Sequence, residues 1–393
     1  MRQGSSKKKI ASALAFLAFA SLLVGCGNNK PASGGELPSS SQVSIPVLNE
    51  ATIEEDAKFH SANLTQVSQQ SFEDLGFTLG DSCNVSFSNG VVYDDVPYYN
   101  GYYVKNGKPI IVAYPSSSCI LVTLNNVGIY EEAKLTSSTK VTITLNEKGK
   151  YLATQEALSQ SYSLERDKYN SDEEFSNFRS LQGGSLKENF IYRGASPFDN
   201  SRNRAEITDS LLKKNGIKAI VDLADGEGDM NAYKADATYS FPYSESLYDS
   251  GDVILLGMGS GYTSESYMQS VAKGVRHMLS KSSPYYVHCM EGKDRTGFVC
   301  TLIESLAGAS YEEMKTDYMK TYENYYKIAA AKDGEKYNAI VSLYFDSFCE
   351  ALHQESDVSK LKKASYVEDA KSYLTKGGLS EEEISSFQTL ITK

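Results

Sequence analysis

The segment His288-Cys289-Met290-Glu291-Gly292-Lys293-Asp294-Arg295-Thr296-Gly297 places a thiol, a carboxylic acid and a guanidinium within ten consecutive positions. A thiolate is a good nucleophile, but a free cysteine is mostly protonated near neutrality, so its reactivity depends on neighbours that lower its pKa. Five residues between Cys289 and Arg295 are enough to wrap a loop around one phosphoryl group. The free N–H donors of a helix N-terminus point at such an anion, and the helix dipole favours it. Arg295 offers a planar fork for two phosphate oxygens and can follow them into the transition state. Gly292 lets the backbone turn where a side chain would obstruct the loop. Thr296 can hydrogen-bond Cys289 as its sulfur leaves a covalent phosphocysteine. Residue types and order together suit attack of a thiolate on a phosphoryl group.

Such a loop needs a strand before it and a helix after it. Pro284 to Val287 reads as a short strand, and Thr296 to Ala307 as a helix. Upstream, Met268, Val271, Val275 and Met278 line one face of a helix over Thr263 to Ser280. Leu211 to Lys214 ends another helix at Asn215-Gly216, and Ile217 to Leu223 is an apolar strand. Strands alternating with helices predict an α/β domain over 148–393, with a mostly parallel central sheet flanked by helices. A charged, helical stretch from Lys148 to Phe178 leads into it.

Residues 47–147 read differently, as a small mainly-β domain. Asn89-Gly90, Asn100-Gly101 and Asn106-Gly107 are hairpin-turn signals between the β-prone runs Val91 to Tyr93, Tyr102 to Val104 and Ile110 to Tyr114. Val141 to Leu145 alternates with the period of a half-buried strand, whereas Ile53 to Val67 is weakly helical in pattern. Tyr98, Tyr99, Tyr102 and Tyr103 fit packing on strand faces better than ligand binding. The stretch Asp81 to Val104 resembles small β-barrel modules attached to other enzymes.

The first 25 residues form a targeting segment, with Lys7, Lys8 and Lys9 followed by an apolar run from Ile10 to Val24. That run is shorter than the roughly 20 residues a transmembrane helix needs and fits a secretory signal peptide. Leu23-Val24-Gly25-Cys26 resembles the lipobox of bacterial lipoproteins. The resemblance implies lipidation (palmitate) of Cys26 and a chain anchored on the extracytoplasmic face of the membrane in a bacterial cell envelope. Residues 26–46 are rich in Gly, Ser, Asn and Pro and read as a flexible tether. The formal charge is −11, and beyond residue 25 the chain carries 35 basic and 50 acidic side chains. An acidic body of this kind is repelled by nucleic-acid backbones, which argues against a nucleic-acid partner.

The loop HCMEGKDRTG resembles the signature of the tyrosine phosphatase superfamily, Cys-x5-Arg followed by Thr or Ser. Its Gly-Lys-Asp-Arg-Thr-Gly ending is most similar to the atypical bacterial tyrosine and lipid phosphatases. The resemblance extends over roughly 210 residues: Asn177 to Gly184 resembles their Asn-Phe-Arg-Asp-Leu-Gly-Gly opening, and Tyr192-Arg193-Gly194-Ala195 their Tyr-Arg-Ser-Ala. Ala307 to Glu313, Asp317-Tyr318 and Gly378 to Glu383 resemble their later helices. Ser180 and Gln182 depart from the opening, and Glu291 replaces a small or neutral loop residue. The resemblance implies Cys289 as nucleophile, Arg295 as phosphate binder and Asp294 as the acid that protonates the leaving oxygen. Met290, Glu291, Gly292, Lys293 and Thr296 complete the substrate-binding loop, with Lys293 adding charge for a second phosphate or an acidic head group. Ordinary tyrosine phosphatases take their acid from a separate loop thirty to forty residues before the cysteine, which keeps Asp249 and Asp252 as alternatives.

The activity so implied is metal-independent, cofactor-free hydrolysis of phosphomonoesters, on phosphotyrosine or phosphoserine/threonine proteins (dual specificity) or on phosphoinositides. An inositol polyphosphate phosphatase, and a non-catalytic surface adhesin or phosphate receptor, are the alternatives. Sulfur transfer is a weaker one, because it does not require the Asp-Arg-Thr-Gly continuation. His60, His277 and His353 are scattered without metal-ligand spacing. His288 reads as a structural partner of the loop, and Cys300 as a core residue rather than a resolving thiol. Cys83 and Cys119 fall in one predicted domain and could pair, although two buried thiols are the simpler reading.

Overall fold

A computed structural model describes residues 45–115, 117–259 and 261–393. The targeting segment, Cys26 and nearly all of the expected tether lie outside the described residues. Residues 45–393 form one compact unit, within which a β-rich region and an α/β region have separate apolar cores.

The β-rich region contains β1 (Val47–Thr52), β2 (Glu54–Glu55), β3 (Ala62–Leu64), β4 (Ser82–Phe87), β5 (Val92–Tyr99), β6 (Pro109–Val112), β7 (Ile120–Leu124) and β8 (Lys140–Glu147). Their order is β1-β8-β4-β5-β6-β7-β3-β2. In β8, Val141 and Ile143 are fully buried while Thr142 and Thr144 are only half-buried, as alternation demands. Phe72 stacks on Phe77 at 4.1 Å and meets the edge of Tyr98 at 5.0 Å, closing the core beneath the strands. Cys83 and Cys119 are separate buried thiols.

Three expectations fail here. Asn89-Gly90 does close the β4–β5 hairpin, with Gly90 at φ 92°. The other two Asn-Gly pairs do not make hairpins, because β5 and β6 are parallel, with Tyr98 opposite Ile111 and Tyr99 opposite Val112. Residues 100–108 cross over instead, and Tyr102 to Val104 is not a strand. An Asn-Gly pair sets a local left-handed turn, as at Gly107 (φ 74°). The direction of the next strand is set by which apolar face it buries. Ile53 to Val67 holds β2 and β3 rather than a helix, with Glu54 paired to Asn63 and Glu55 to Ala62.

The stretch 148–178 is less helical than its pattern, forming only Leu152–Leu158, a 3₁₀ turn Arg166–Lys168 and Asp172–Phe175. Tertiary packing overrides propensity, because Tyr162, Phe175 and Tyr325 surround the guanidinium of Arg204, with ring centroids 4.9, 4.6 and 4.7 Å away. Cation–π contacts of a desolvated arginine contribute about 2 kcal/mol or more each. Half-exposed ion pairs, Lys105–Glu350 at 2.6 Å and Lys336–Glu156 at 2.9 Å, connect the β-rich region and its following helix to the C-terminal helices.

The α/β region contains β9 (Arg179–Ser180), β10 (Ile191–Gly194), β11 (Ala219–Asp222), β12 (Val253–Leu255) and β13 (Tyr285–His288), in the order β12-β11-β13-β10-β9. The first four are mutually parallel and β9 is antiparallel at the edge. β10, β11 and β13 are buried throughout, as strands covered on both faces must be. One face packs on the helices Glu265–Ser280 and Asp294–Leu306. The other packs on Ala205–Lys214, Phe198 and Phe241. The register puts Asp222 and Gly194 level with His288, and Leu255 level with Asp222. Four strands therefore deliver their carboxyl ends to one edge, where the phosphate loop begins.

Candidate active site

Cys289 follows the last residue of β13, and the next helix starts at Asp294, so Met290 to Lys293 form the loop between them. Cys289 is 4 % exposed, at the floor of the site. Gly292 has φ 65°, and a Cβ there would lie 2.2 Å from the Gly194 carbonyl oxygen, so only glycine fits against the end of β10. Gly194 is itself closely packed, since a Cβ there would meet the Tyr286 hydroxyl at 2.6 Å.

The loop is braced from beneath by the two segments that resemble the family's opening motifs. The Gly292 carbonyl accepts hydrogen bonds from Arg193 Nη2 at 2.8 Å and Asn177 Nδ2 at 3.1 Å. Arg193, 1 % exposed, and Arg179 both pair with Asp317, at 2.5 and 2.7 Å. Burial disfavours the Asp317 carboxylate, but Arg179 and Arg193 outweigh it and hold its pKa below the ordinary value. Asn177, at φ 52°, also accepts from Arg179 Nη1 at 2.6 Å and Asn324 Nδ2 at 3.0 Å. Ser196 N–H donates to the Met290 carbonyl at 3.1 Å. Sequence reading marked Asn177, Arg179, Arg193 and Asp317 as motif residues without assigning a job; positioning the loop is that job.

On the rim, Glu291 is turned into a cluster of its own. Its carboxylate accepts from the Tyr162 hydroxyl and from Arg202 Nε at 3.3 Å, with Lys293 Nζ at 3.5 Å. Burial works against its charge, but Lys293, Tyr162 and Arg202 together lower its pKa, so it is ionised and locally neutralised. A carboxylate in the loop would by itself work against a phosphate, and these partners offset it. Tyr162 comes from the segment joining the β-rich and α/β regions, and no motif marked it or Arg202.

Asp294 and Arg295 open the helix, where Arg295 Nη1 donates to the Met258 carbonyl at 2.9 Å. Asp294 lies 3.8 Å from Lys293 with its side chain 49 % exposed, and its charge is felt by the hydroxyls of Tyr262, Tyr318, Tyr322 and Tyr344. Burial pushes the Asp294 carboxyl above its ordinary value, against the pull of Lys293, and Glu291 adds to the rise. A raised pKa favours the protonated form, which is what a leaving oxygen needs. Thr296 is fully buried and its hydroxyl has no hydrogen-bond partner among the described residues.

The alternative acids are not brought to the loop. Asp252 immediately precedes β12 and pairs with Lys281 at 3.0 Å, and Asp249 pairs with Lys234 at 2.8 Å. Both lie at the amino ends of the parallel strands, about 10 Å along β12 from its carboxyl end. The segment that does reach Arg295 from β12, residues 256–261, contains no acidic residue. A sequence distance before the cysteine does not say at which end of the strand an acid falls.

His288 is fully buried, and burial lowers its pKa to about 4, so the imidazole is neutral. Its Nδ1 lies 3.3 Å from the Cys289 carbonyl and its ring stacks on Tyr286, a positioning arrangement. Next to it, Asp222 caps the turn after β11, accepting from the N–H groups of Ala224 and Asp225 at 2.8 and 3.1 Å. Burial raises Asp222 to about 6, and burial plus Asp222 raises Asp225 to about 7. Sequence reading placed Asp222 in the strand Ile217 to Leu223, which resembles the family's Ile-Lys-x-Val-Ile-Asp-Leu, but gave it no role and did not mark Asp225. Cys300 is buried in the core, which pushes its thiol up to about 12.

A strand-ending cysteine, a braced loop and an arginine at a helix start form a cradle suited to an oxyanion, with a thiol at its floor. No curated protein sequence matches the chain. A solved structure similar to it is the core catalytic domain of PP-IP phosphatase SIW14 from S. cerevisiae in complex with citrate. The two are 19 % identical, over 50 % of this chain and 94 % of that one, with a TM-score of 0.26. The family model described as "Tyrosine phosphatase family" matches residues 172–393, more than half of the chain and the whole of the loop with its braces. The chain belongs to the tyrosine phosphatase family and is a hydrolase of the protein-tyrosine-phosphatase type.

Proposed function

We propose that the chain hydrolyses phosphomonoesters without a metal, through a phosphocysteine at Cys289. The Cys289 sulfur attacks phosphorus, the ester P–O bond breaks, and Asp294 gives its proton to the leaving oxygen. Water then attacks phosphorus, returns a proton to Asp294 and releases the thiolate with inorganic phosphate. Arg295 holds two equatorial oxygens through both steps. The single observation that carries this reading is the bracing of the Gly292 carbonyl by Arg193 and Asn177, which holds the loop between Cys289 and Arg295 in place.

Among substrates, singly phosphorylated protein side chains, phosphotyrosine first, suit the site best, followed by phosphoinositides. Half-buried Tyr326, whose hydroxyl accepts from Lys293 Nζ at 3.3 Å, supplies an aromatic side chain beside the loop. Lys293 is already faced by Glu291 and Asp294, and Arg202 by Glu291, which leaves little surplus positive charge for a polyphosphate. That ranks inositol polyphosphates lower. The lipobox resemblance supports a chain anchored through Cys26 on the extracytoplasmic face of the membrane; metabolic labelling with palmitate, lost in Cys26→Ala, tests it.

Hydrolysis of p-nitrophenyl phosphate, phosphotyrosine and phosphoserine peptides, phosphoinositides and inositol hexakisphosphate, in EDTA, tests the activity. Turnover should survive EDTA and fall by more than about 10³-fold in Cys289→Ser. Residual turnover near wild type in that variant would overturn the phosphocysteine route.

A further inference from the structure

We propose that the cleft over β3 and β7 in the β-rich region is a binding site for a neutral oligosaccharide. The cleft encloses about 820 Å³, within the usual range for ligand pockets. Nine large apolar side chains are exposed among the described residues, and four of them, Phe59, Tyr102, Tyr114 and Val127, line this one cleft. Phe59 is 62 % exposed and Tyr114 46 %. Apolar side chains gathered on one exposed surface mark an interaction site rather than chance scatter. The Tyr102 and Tyr114 rings lie 6.1 Å apart, tilted by 48°.

The loops that carry these rings are held in place by their own hydrogen bonds. Asp56 Oδ1 accepts from the N–H groups of Lys58 and Phe59 at 3.0 and 2.7 Å. His60 follows in a left-handed conformation (φ 53°), tied to Glu55 at 2.7 Å. Across the cleft Asn126 is also left-handed (φ 58°) and donates to Asn106 at 2.7 Å, while Asn125 donates to the Val104 carbonyl at 2.6 Å. Two non-glycine residues with positive φ at one cleft are strain kept for a shape. The amide oxygens of Asn125 and Asn126 accept no hydrogen bond among the described residues. Rigid aromatic faces beside free amide acceptors match a sugar, whose ring presents an apolar C–H face and a rim of hydroxyl donors.

Charge and topology select against the other ligands. Asp56 and Lys58 offset each other and His60 is paired with Glu55, so the lining has no surplus of either sign. A phospholipid head group, a nucleic acid or a basic peptide would each need one. β3 and β7 are paired on both sides, and the edges of the sheet are β1 and the two-residue β2, so a peptide cannot add as a strand here. The inference is independent of the phosphatase site, because its readout is binding.

Affinity electrophoresis of the intact chain tests it, in gels containing β-1,3-glucan, hydroxyethylcellulose, xylan or mannan, with heparin gels and phosphatidylinositol-phosphate vesicles as charged probes. At least one neutral polysaccharide should retard the chain. Phe59→Ala and Tyr114→Ala should each weaken retardation about tenfold and Phe59→Trp should keep it. All three should retain p-nitrophenyl phosphate turnover and melting temperature. The proposal is overturned if no neutral polysaccharide retards the chain, if only a charged probe binds, or if both alanine variants are retarded like wild type.

Discussion

Glu291 and Gly292 are neighbours in the phosphate loop, but the groups that hold them differ in kind. Beneath the loop, the Gly292 carbonyl rests on Arg193 and Asn177, buried and backed by Asp317, Arg179 and Thr321. At the rim, Glu291 is held by Tyr162, by Lys293, which is about as buried as Arg179, and by Arg202, which reaches solvent. Buried charges remove the freedom of the backbone that must meet the phosphoryl group, and removing one partner leaves another uncompensated. Rim charges are partly screened, and they set the local potential more than they set geometry. The underside of the loop thus fixes its backbone, and the mouth carries its local charge.

The sharpest way to break this contrast is Arg193→Met. It leaves Asp317 with one cation fewer and the Gly292 carbonyl with one donor fewer, so denaturant unfolding should show a loss of about 3–5 kcal/mol. The kcat should fall alongside. A loss under about 1 kcal/mol would mean that the underside is no more demanding than the rim.

Asp294→Asn comes next. It should lower kcat by about 10²-fold on phosphoserine or other alkyl phosphates, whose leaving oxygen needs a proton, and much less on p-nitrophenyl phosphate. An acid works only while protonated, so its activity is lost as pH rises through its pKa. Because burial raises the Asp294 pKa, the basic limb of the kcat profile should lie above the ordinary carboxylate range, and the variant should lose that limb. An unchanged profile would move the role elsewhere.

At the rim, Glu291→Gln should leave unfolding stability within about 1 kcal/mol. By releasing Arg202 and Lys293 it should lower KM for inositol hexakisphosphate several-fold and barely change KM for phosphotyrosine peptide. Equal changes for both would mean that the charge at the mouth does not select between substrates.

The smallest effect concerns the acid pair beside His288. Asp225 is raised to about 7 in the folded chain, against about 3.9 unfolded. The folded state therefore binds more protons between those values, and stability present below pH 4 is lost as pH rises to about 7. Asp225→Asn should flatten that slope and raise the melting temperature at pH 8 by roughly 2 °C. An unchanged slope would assign it to Asp222.

Much of the α/β region was legible because its signals are local. Some strands buried on both faces read as apolar runs, Ala219 to Val221 among them. Asn215-Gly216 stops a helix whatever lies around it, with Gly216 at φ 63°. The β-rich region was read less well, since Asn106-Gly107 announces a turn but not whether the next strand runs parallel or antiparallel to the last. The charged stretch before Phe178 misled for a related reason, as the cage around Arg204 is built from residues 162, 175 and 325.

By itself the sequence determined the chemistry available: a cysteine and an arginine six positions apart, between a strand and a helix, can grip one phosphoryl group because loop length and backbone N–H groups are properties of the chain. Only the tertiary structure decided where Asp249 and Asp252 lie: parallel strands send their amino and carboxyl ends to opposite edges of the sheet, and Asp252 precedes β12 at the edge away from Cys289. It also decided how Glu291 is held. The groups that hold it include the Tyr162 hydroxyl and the Arg202 guanidinium, and pairing over such separations is a matter of packing, which no local pattern records.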